Sequence, residues 1–414
     1  MTKDQKAWLS SGTTWSSAFN LTKATLGAGV LALSSHTMTT GIPIMVALLV
    51  GLAIVTYKSV KFLSEACEHT SVFSYDDMAG RLFGTPYALF LGAAMFINCF
   101  GASIVYIIAI GEAMNVVFGW DANISSTIVS ICLLMPLGCV YEINKLRYFS
   151  FAGVVGVALL SLATVYALCI KHVETDLINF PDKLWKPTAT LGFVNAISSL
   201  TFAYANQFNV PHIYEELNDR SISTMSRVTI RSLMMSVVLY MTAAICGFLV
   251  FGDKLEGEHS LLTNFKPMVE QGHIFIKIAL VGCTVSVSVA HPLHILPMRQ
   301  SIEYLMTKRD IKWKGSRVLA IITGVILVAS TLGVALLYPY LTEIIGLVGA
   351  SAGSIICYIS PAAFALKIAS DKKESLFKLK FLTHHLMLIG GILAAIVGTV
   401  VALLSMTKGD KSVS

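Results

Sequence analysis

With 414 residues, of which 55% are hydrophobic and 13% charged, and a mean hydropathy of +0.73, the chain is far too apolar for an ordinary soluble domain. Its net charge of +6 does not point to nucleic acid, because the basic residues sit singly or in small groups at the ends of apolar runs. The 8 cysteines lie almost all inside apolar stretches and form no CxxC, and neither a P-loop nor an HExxH occurs, so disulfide frameworks, the common ATPases and membrane metalloproteases are excluded.

Taken in chain order, runs long enough to cross a bilayer predict about eleven helices. They fall at roughly 13–38, 42–66, 86–118, 124–142, 148–171, 189–213, 227–252, 270–304, 317–338, 341–367 and 381–405. Residues 1–12 precede the first of them and carry Lys3, Asp4, Lys6 and Trp8 without a cleavable signal pattern, so the first span is expected to act as its own anchor. Residues 406–414 form a short polar tail. With residues 1–12 in the cytosol, most of the 30 basic residues and every arginine fall on the inner side, as the positive-inside rule asks.

The first span contains the run Asn20–Ser34, where Gly27 and Gly29 lower the cost of leaving the helical ladder. Lys23, Thr22 and Thr25 stand beside them at membrane depth, and irregular backbone there is tolerated only when it is buried or lines a watery cavity. The alternative is a Gly-X-Gly that merely lets two helices pack closely, with Lys23 reaching for the interface. After the second span, which Pro43 starts, Ser74–Gly84 reads as a short amphipathic helix at the interface, ended by Gly84 and Pro86.

An inverted-repeat transporter would carry a second interrupted helix five spans after the first. The sixth span has Asn206, Gln207 and Asn209 clustered in it, followed by Pro211. Half-helix ends at mid-membrane offer a positive dipole to a carboxylate and carbonyls to a cation, which suits a zwitterion such as an amino acid. A proline kink in a structural helix is the alternative. Elsewhere, His291 and His294 lack the carboxylates or cysteines of a metal pair and read as packing or gate residues. Glu112 and the pair His384 and His385 read as interface residues. Glu215 and Glu216 could pair with Arg220, Arg227 or Arg299 as an inner gate. Trp120, Trp185, Trp313, Tyr338 and Tyr340 lie at expected span ends, as interfacial anchors should.

Several of these segments resemble the amino acid/auxin permease family, part of the larger superfamily of amino acid, polyamine and organocation transporters. Asn20–Ser34 resembles its first helix, Phe100–Tyr106 its third, and Pro211–Ser221, with its Tyr-Glu-Glu-Leu run, the exit of its sixth. Pro292–Arg299 looks like the end of the eighth helix, and Gly346–Pro361 matches the tenth. The resemblance implies an all-α integral membrane protein with a LeuT-type 5+5 inverted repeat. Residues 13–171 and 189–367 would be the two repeats, helices 1 and 6 would be discontinuous, and 381–405 would be a peripheral eleventh helix.

It also implies a substrate site. Thr25, Leu26, Gly27, Ala28 and Gly29 would come from the first helix, with backbone donors for a carboxylate. Phe202, Ala203, Tyr204 and Asn206, with Gln207 beside them, would come from the sixth, with carbonyls for an ammonium. Asn98, Ser103 and Tyr106 would shape the side-chain room. Sodium-coupled members carry Asn where this chain has Lys23, and a hydroxyl near the position of Ser288 completes their ion site. An ammonium at that place supplies the charge a sodium ion otherwise brings and repels one, which favours proton coupling or plain facilitation. The resemblance thus implies secondary transport of amino acids, neutral ones favoured, by alternating access, with a gate at Glu215 and Arg299. The bilayer, an amino acid and a proton (or sodium) are the partners, with no cofactor and no nucleic acid. The plasma membrane is favoured over a vacuolar or lysosomal one. A sodium-coupled symporter and an amino acid-sensing receptor of the same fold are the alternatives.

Overall fold

The computed structural model describes residues 12–139, 147–174, 190–255, 260–307, 317–375 and 379–409. It is built of helices, with no strand among the described residues. The first expected span is broken into α1 (Thr14–Thr25) and α2 (Val30–Thr40). They are followed by α3 (Ile42–Thr70), α4 (Tyr75–Phe83) and α5 (Thr85–Phe118). The fourth expected span runs as α6 (Ala122–Val129), a π-helical stretch and α7 (Met135–Gly138), and the fifth is α8 (Arg147–Glu174). The sixth is broken into α9 (Thr190–Ala203) and α10 (Val210–Glu216), and the seventh is α11 (Ile222–Phe251). Two short helices, α12 (Leu261–Asn264) and α13 (Lys266–Glu270), lead to α14 (Ile274–Thr307) and α15 (Arg317–Leu337). The tenth runs from α16 (Leu341–Val348) through two π-helical stretches to α17 (Ser360–Asp371), and α18 (Leu382–Gly409) closes the described chain.

Eight helices among the described residues are long and apolar enough to cross a membrane. The other three expected spans fall on the interrupted pairs α1–α2 and α9–α10 and on the shorter apolar stretch Ala122–Gly138. Trp185 and Trp313, read as interfacial anchors, lie outside the described residues.

Local chemistry sets the helix ends. The Thr13 hydroxyl accepts from the Ser16 amide at 3.3 Å to start α1, and the Ser221 hydroxyl accepts from the Thr224 amide at 3.2 Å to start α11. Gly84 ends α4 with φ +86°, a region that favours glycine, and Pro86 then opens α5 where its missing N–H costs nothing. The expected helix at Ser74–Gly84 is therefore present as α4. It buries Tyr75, Met78, Ala79 and Leu82 on one face, and its Tyr75 hydroxyl donates to the carbonyl of Ile356 at 2.7 Å. Ser59 donates to the next carbonyl, of Cys357, at 2.6 Å. Both carbonyls belong to a π-helical stretch, so side chains from α3 and α4 bond the backbone where the tenth helix departs from regular α geometry.

The long helices α5 and α8 both pack along α14, and α11 packs against α1, α2, α3 and α8. The two interruptions lie face to face inside this frame. Their meeting point is where the chain brings its polar groups together.

Candidate functional site

The first interruption is short. The Leu26 amide still reaches back to Thr22 O at 2.7 Å, but Gly27 turns to Thr25 O at 2.9 Å, and the ladder resumes only with Leu31 on Ala28 O at 3.0 Å. The amides of Ala28, Gly29 and Val30 have no hydrogen-bond partner among the described residues at the N-terminus of α2, an arrangement that attracts an anion. Two close approaches need glycine here. A Cβ on Gly27 would lie 2.7 Å from the Tyr106 hydroxyl, and one on Gly29 would lie 2.8 Å from both Cα and Cβ of Ala203.

The second interruption follows Ala203. The chain passes Tyr204–Asn206 into a 3-10 turn at Gln207–Asn209, and Pro211 sits in the first turn of α10, where it starts the second half-helix instead of kinking a continuous one. Two side chains tie the breaks together. Asn206 Nδ2 donates to Thr25 Oγ1 at 2.7 Å. The buried Tyr240 hydroxyl, from α11, stands 2.7 Å from Thr25 O and 2.9 Å from Ala203 O, so one O–H serves the last carbonyl of each first half-helix. Tyr240→Phe is expected to leave both carbonyls without that donor. The cost of an unmet buried polar group is about 1–3 kcal/mol. A lower melting temperature in detergent, together with slower uptake, checks it.

Between the breaks lies a closed cavity of about 10 Å³, room for about one water. Of the expected site residues, Thr25, Gly27, Gly29, Asn98, Tyr106, Phe202 and Ala203 line it. The other five are not on its wall. Leu26 and Ala28 are buried, and so is Ser103 in α5. The Tyr204 hydroxyl points away and donates to Leu49 O at 3.1 Å in α3, and Asn206 donates from Nδ2 to Thr25, its Oδ1 buried without a hydrogen-bond partner.

A larger vestibule of about 320 Å³ opens beside the closed cavity, towards the end of the bundle that carries α4 and α10. Lys23, Asp76, His212 and Glu216 are among its lining residues, and His294 and Ala24 border both spaces. Asp76, on α4, is pushed up from its ordinary 3.8 to about 6, first by burial and then by the neighbouring Asp77 carboxylate. Its Oδ1 is buried without a hydrogen-bond partner. Because the folded protein holds this proton more tightly than the unfolded chain, stability falls as pH rises from about 4 to about 6 and is flat above. Asp76→Asn is expected to remove that slope and to melt higher at pH 7, which thermal melts at a series of pH values check.

Lys23 is 3% exposed. Its ammonium donates to Ser286 Oγ at 3.0 Å, Ser286 O at 3.1 Å and Leu26 O at 3.5 Å. The hydroxyl that meets the ammonium is that of Ser286, two residues before Ser288, and it donates in turn to Gly153 O at 2.7 Å. Gly153 makes room for the lysine, since a Cβ there would lie 2.9 Å from Nζ and closer still to its carbon stem. Ammonium, carbonyls and hydroxyl thus form a small cage between α1, α8 and α14, of the kind that would hold a hard cation if the lysine were absent.

The expected gate pair is not assembled. Glu215 is exposed and its main-chain carbonyl accepts from Arg220 Nη2 at 2.9 Å, whereas Arg299 is buried and donates from Nη2 to Gly138 O at 2.5 Å. The polar contact near this end of α10 is from the Tyr214 hydroxyl to Glu68 Oε1, at 2.5 Å. Glu112 accepts from the buried Ser260 hydroxyl and so ties α5 to the turn before α12. His384 stacks on Phe62 with ring centroids 4.2 Å apart. Tyr240, Ser286 and Gly153 escaped the sequence reading.

A family model described as transmembrane amino acid transporter protein matches residues 10–404. A sodium-coupled neutral amino acid symporter of Danio rerio is 26% identical over 410 residues, which is 91% of this chain and 79% of that protein. Among solved structures, a sodium-coupled sialic acid symporter in a substrate-bound outward-open state aligns with a TM-score of 0.54 at 13% identity, over 94% of this chain and 90% of that one. A manganese transporter of Eremococcus coleocola aligns with a TM-score of 0.52 at 12% identity, over 99% and 89%. At such identities these two structures speak for the fold alone, and that fold is the LeuT type.

Proposed function

The chain belongs to the transmembrane amino acid transporter family, and on that ground we propose that it carries small neutral amino acids across its membrane by alternating access, coupled to protons or to no ion. The observation that carries the ionic part is Lys23. An ammonium with three oxygen acceptors fills the cage between the first and eighth spans, and a sodium ion placed there would meet a like charge. The unpartnered amides of Ala28 to Val30 supply the anchor for a substrate carboxylate. Carbonyls at the sixth-helix break supply acceptors for its ammonium, each keeping a free lone pair beside the bond it already accepts. Among the described residues that line the cavity there is no carboxylate, lysine or arginine, which supports a neutral substrate side chain.

The present arrangement fits a stage of the cycle in which the substrate pocket is contracted to about 10 Å³, too small for an amino acid, beside a vestibule of about 320 Å³. With residues 1–12 in the cytosol and the protein in the plasma membrane, the vestibule faces inwards. The sequence similarity to a sodium-coupled symporter favours the second reading, coupling to sodium. Uptake of a panel of labelled amino acids into proteoliposomes, first under a proton gradient and then under a sodium gradient, separates the two. Accumulation driven by protons alone, or equilibration without either ion, supports proton coupling or facilitation respectively. Accumulation that requires sodium overturns the ionic part of the proposal and leaves amino acid transport standing. No uptake of any amino acid shifts the function to a receptor that senses amino acids through the same pocket.

A further inference from the structure

We infer that His294 carries the coupled proton, on Nε2, and that its ring is the door between the substrate pocket and the vestibule. This rests on the proton-coupled form of the function proposed above and asks which group holds the proton. Lys23 is poorly suited to the task. Three oxygens surround its ammonium, so losing a proton would leave acceptors in a buried cage with one donor fewer. A carrier of the coupled proton must instead reach both the substrate and water, and must have a nitrogen or oxygen not already committed to the protein.

His294 meets both demands. It borders the closed cavity and the open vestibule at once. Its Nδ1 lies 3.1 Å from Ala290 O, one turn back in α14, so that nitrogen is the donor whether the ring is neutral or charged. Nε2 has no hydrogen bond to any described residue. His291, the other histidine on this helix, is fully buried, borders neither space, and has no partner on either ring nitrogen. It has no aqueous route for a proton.

The ring is held edge-on between two aromatic neighbours. Tyr106 of α5, whose hydroxyl reaches the Gly27 break, lies 5.2 Å away between centroids, and Phe208 of the turn before α10 lies 5.8 Å away. Pro292 lies two residues before it in α14 and cannot donate to Ser288 O, so the helix is softened where the ring would have to swing. The charged and titratable groups around the ring are Lys23 from α1, Tyr106 from α5 and His291 from its own helix. Across the vestibule stand Asp76 from α4 and His212 and Glu216 from α10.

Protonation makes an N–H at Nε2 and breaks none in the protein. The proton arrives from the side opposite the vestibule along with the amino acid. The imidazolium on the pocket wall then strengthens binding of the substrate carboxylate, and by linkage the carboxylate strengthens binding of the proton. When the ring swings towards the vestibule, the N–H bond breaks to water and the amino acid follows.

The test uses the full-length protein in proteoliposomes with a labelled mixture of glycine, alanine and serine. In the unmutated protein a gradient of one pH unit should drive about tenfold accumulation. His294→Asn keeps a donor near Ala290 O and removes the Nε2 position. His294→Gln keeps a hydrogen-bonding group near Nε2 and cannot titrate. Each variant should exchange internal for external amino acid with a raised apparent KM, as loss of a carboxylate-binding group requires, and show no accumulation under the pH gradient. The apparent KM for exchange, which should rise with pH in the unmutated protein, should become flat. Accumulation equal to that of the unmutated protein in either variant overturns the assignment, as does loss of exchange in both, which would make the ring structural. If the unmutated protein itself accumulates nothing under a proton gradient, the proton-coupled reading fails along with this one, whereas failure in the variants alone leaves that reading intact.

Discussion

Lys23→Met is expected to lower the rate of amino acid uptake by at least about tenfold and to lower the melting temperature of the purified protein. The methionine fills much of the space of the lysine stem but brings no donor. Ser286 O and Leu26 O then lose the ammonium they accept from, and Ser286 Oγ keeps only its bond to Gly153 O. Each unmet buried acceptor costs about 1–3 kcal/mol, and about 1.4 kcal/mol is a factor of ten. The loss falls on the contact between the first and eighth spans, α1 against α14, which joins the half-helix ahead of the first break to the helix that bears His294. Lys23→Asn is the more telling change. It empties the cage of its fixed charge and leaves an amide oxygen, two carbonyls and a hydroxyl, a set of oxygens suited to a hard cation. Uptake by this variant is expected to become stimulated by sodium. Initial rates measured with sodium and with choline settle it, and an unmutated rate in Lys23→Met would remove the cage from any account of transport.

Gly29→Ala is the second large effect, with uptake reduced about tenfold or more. Backbone strain is not the reason, since Gly29 has φ −56°, where any residue fits. Space is the reason. The new methyl would lie 2.8 Å from Cα and Cβ of Ala203, so the two broken helices would have to separate. Overpacking of this kind costs about 1–3 kcal/mol. Separation would also draw Thr25 O and Ala203 O away from the one hydroxyl of Tyr240 that stands between them. Adding Ala203→Gly should restore uptake only in part, because it removes the clash with Cβ and not the one with Cα. Full restoration would mean that the backbones are free to part, and no loss in the single variant would mean that their contact is not needed.

These two residues also show where sequence reading succeeds and where it stops. Gly27, Gly29 and Lys23 were legible because each is unusual for a membrane-spanning helix: glycines release the ladder, and a cation at membrane depth needs a reason. The cluster Asn206 to Asn209 ahead of Pro211 was legible in the same way. The helix at Ser74–Gly84 announced itself by its amphipathic pattern and its closing Gly84 and Pro86. What the lysine touches was not legible. Ser286 and Ser288 are both hydroxyls on the eighth span, two residues apart and so on different faces of the helix, and only the packing of α14 against α1 and α8 selects Ser286. Where the Tyr204 hydroxyl points was not legible either. The last turn of α9 aims it at α3, whereas its neighbours Phe202 and Ala203 face the cavity.

Composition and local backbone chemistry are enough to make this a membrane protein of helices, to lay out the rough course of its spans and to mark the two that break. Those properties hold whatever the helices later pack against. Which of the exposed backbone groups become a site is a matter of tertiary packing. That packing placed the three free amides of Ala28 to Val30 opposite Ala203, put one tyrosine hydroxyl between two carbonyls, and parted Glu215 from Arg299. It also set His294 between pocket and vestibule. The physical reason is that these relations depend on the rotation and depth of each helix against its neighbours, which long-range packing of many weak contacts sets and no local run of residues encodes.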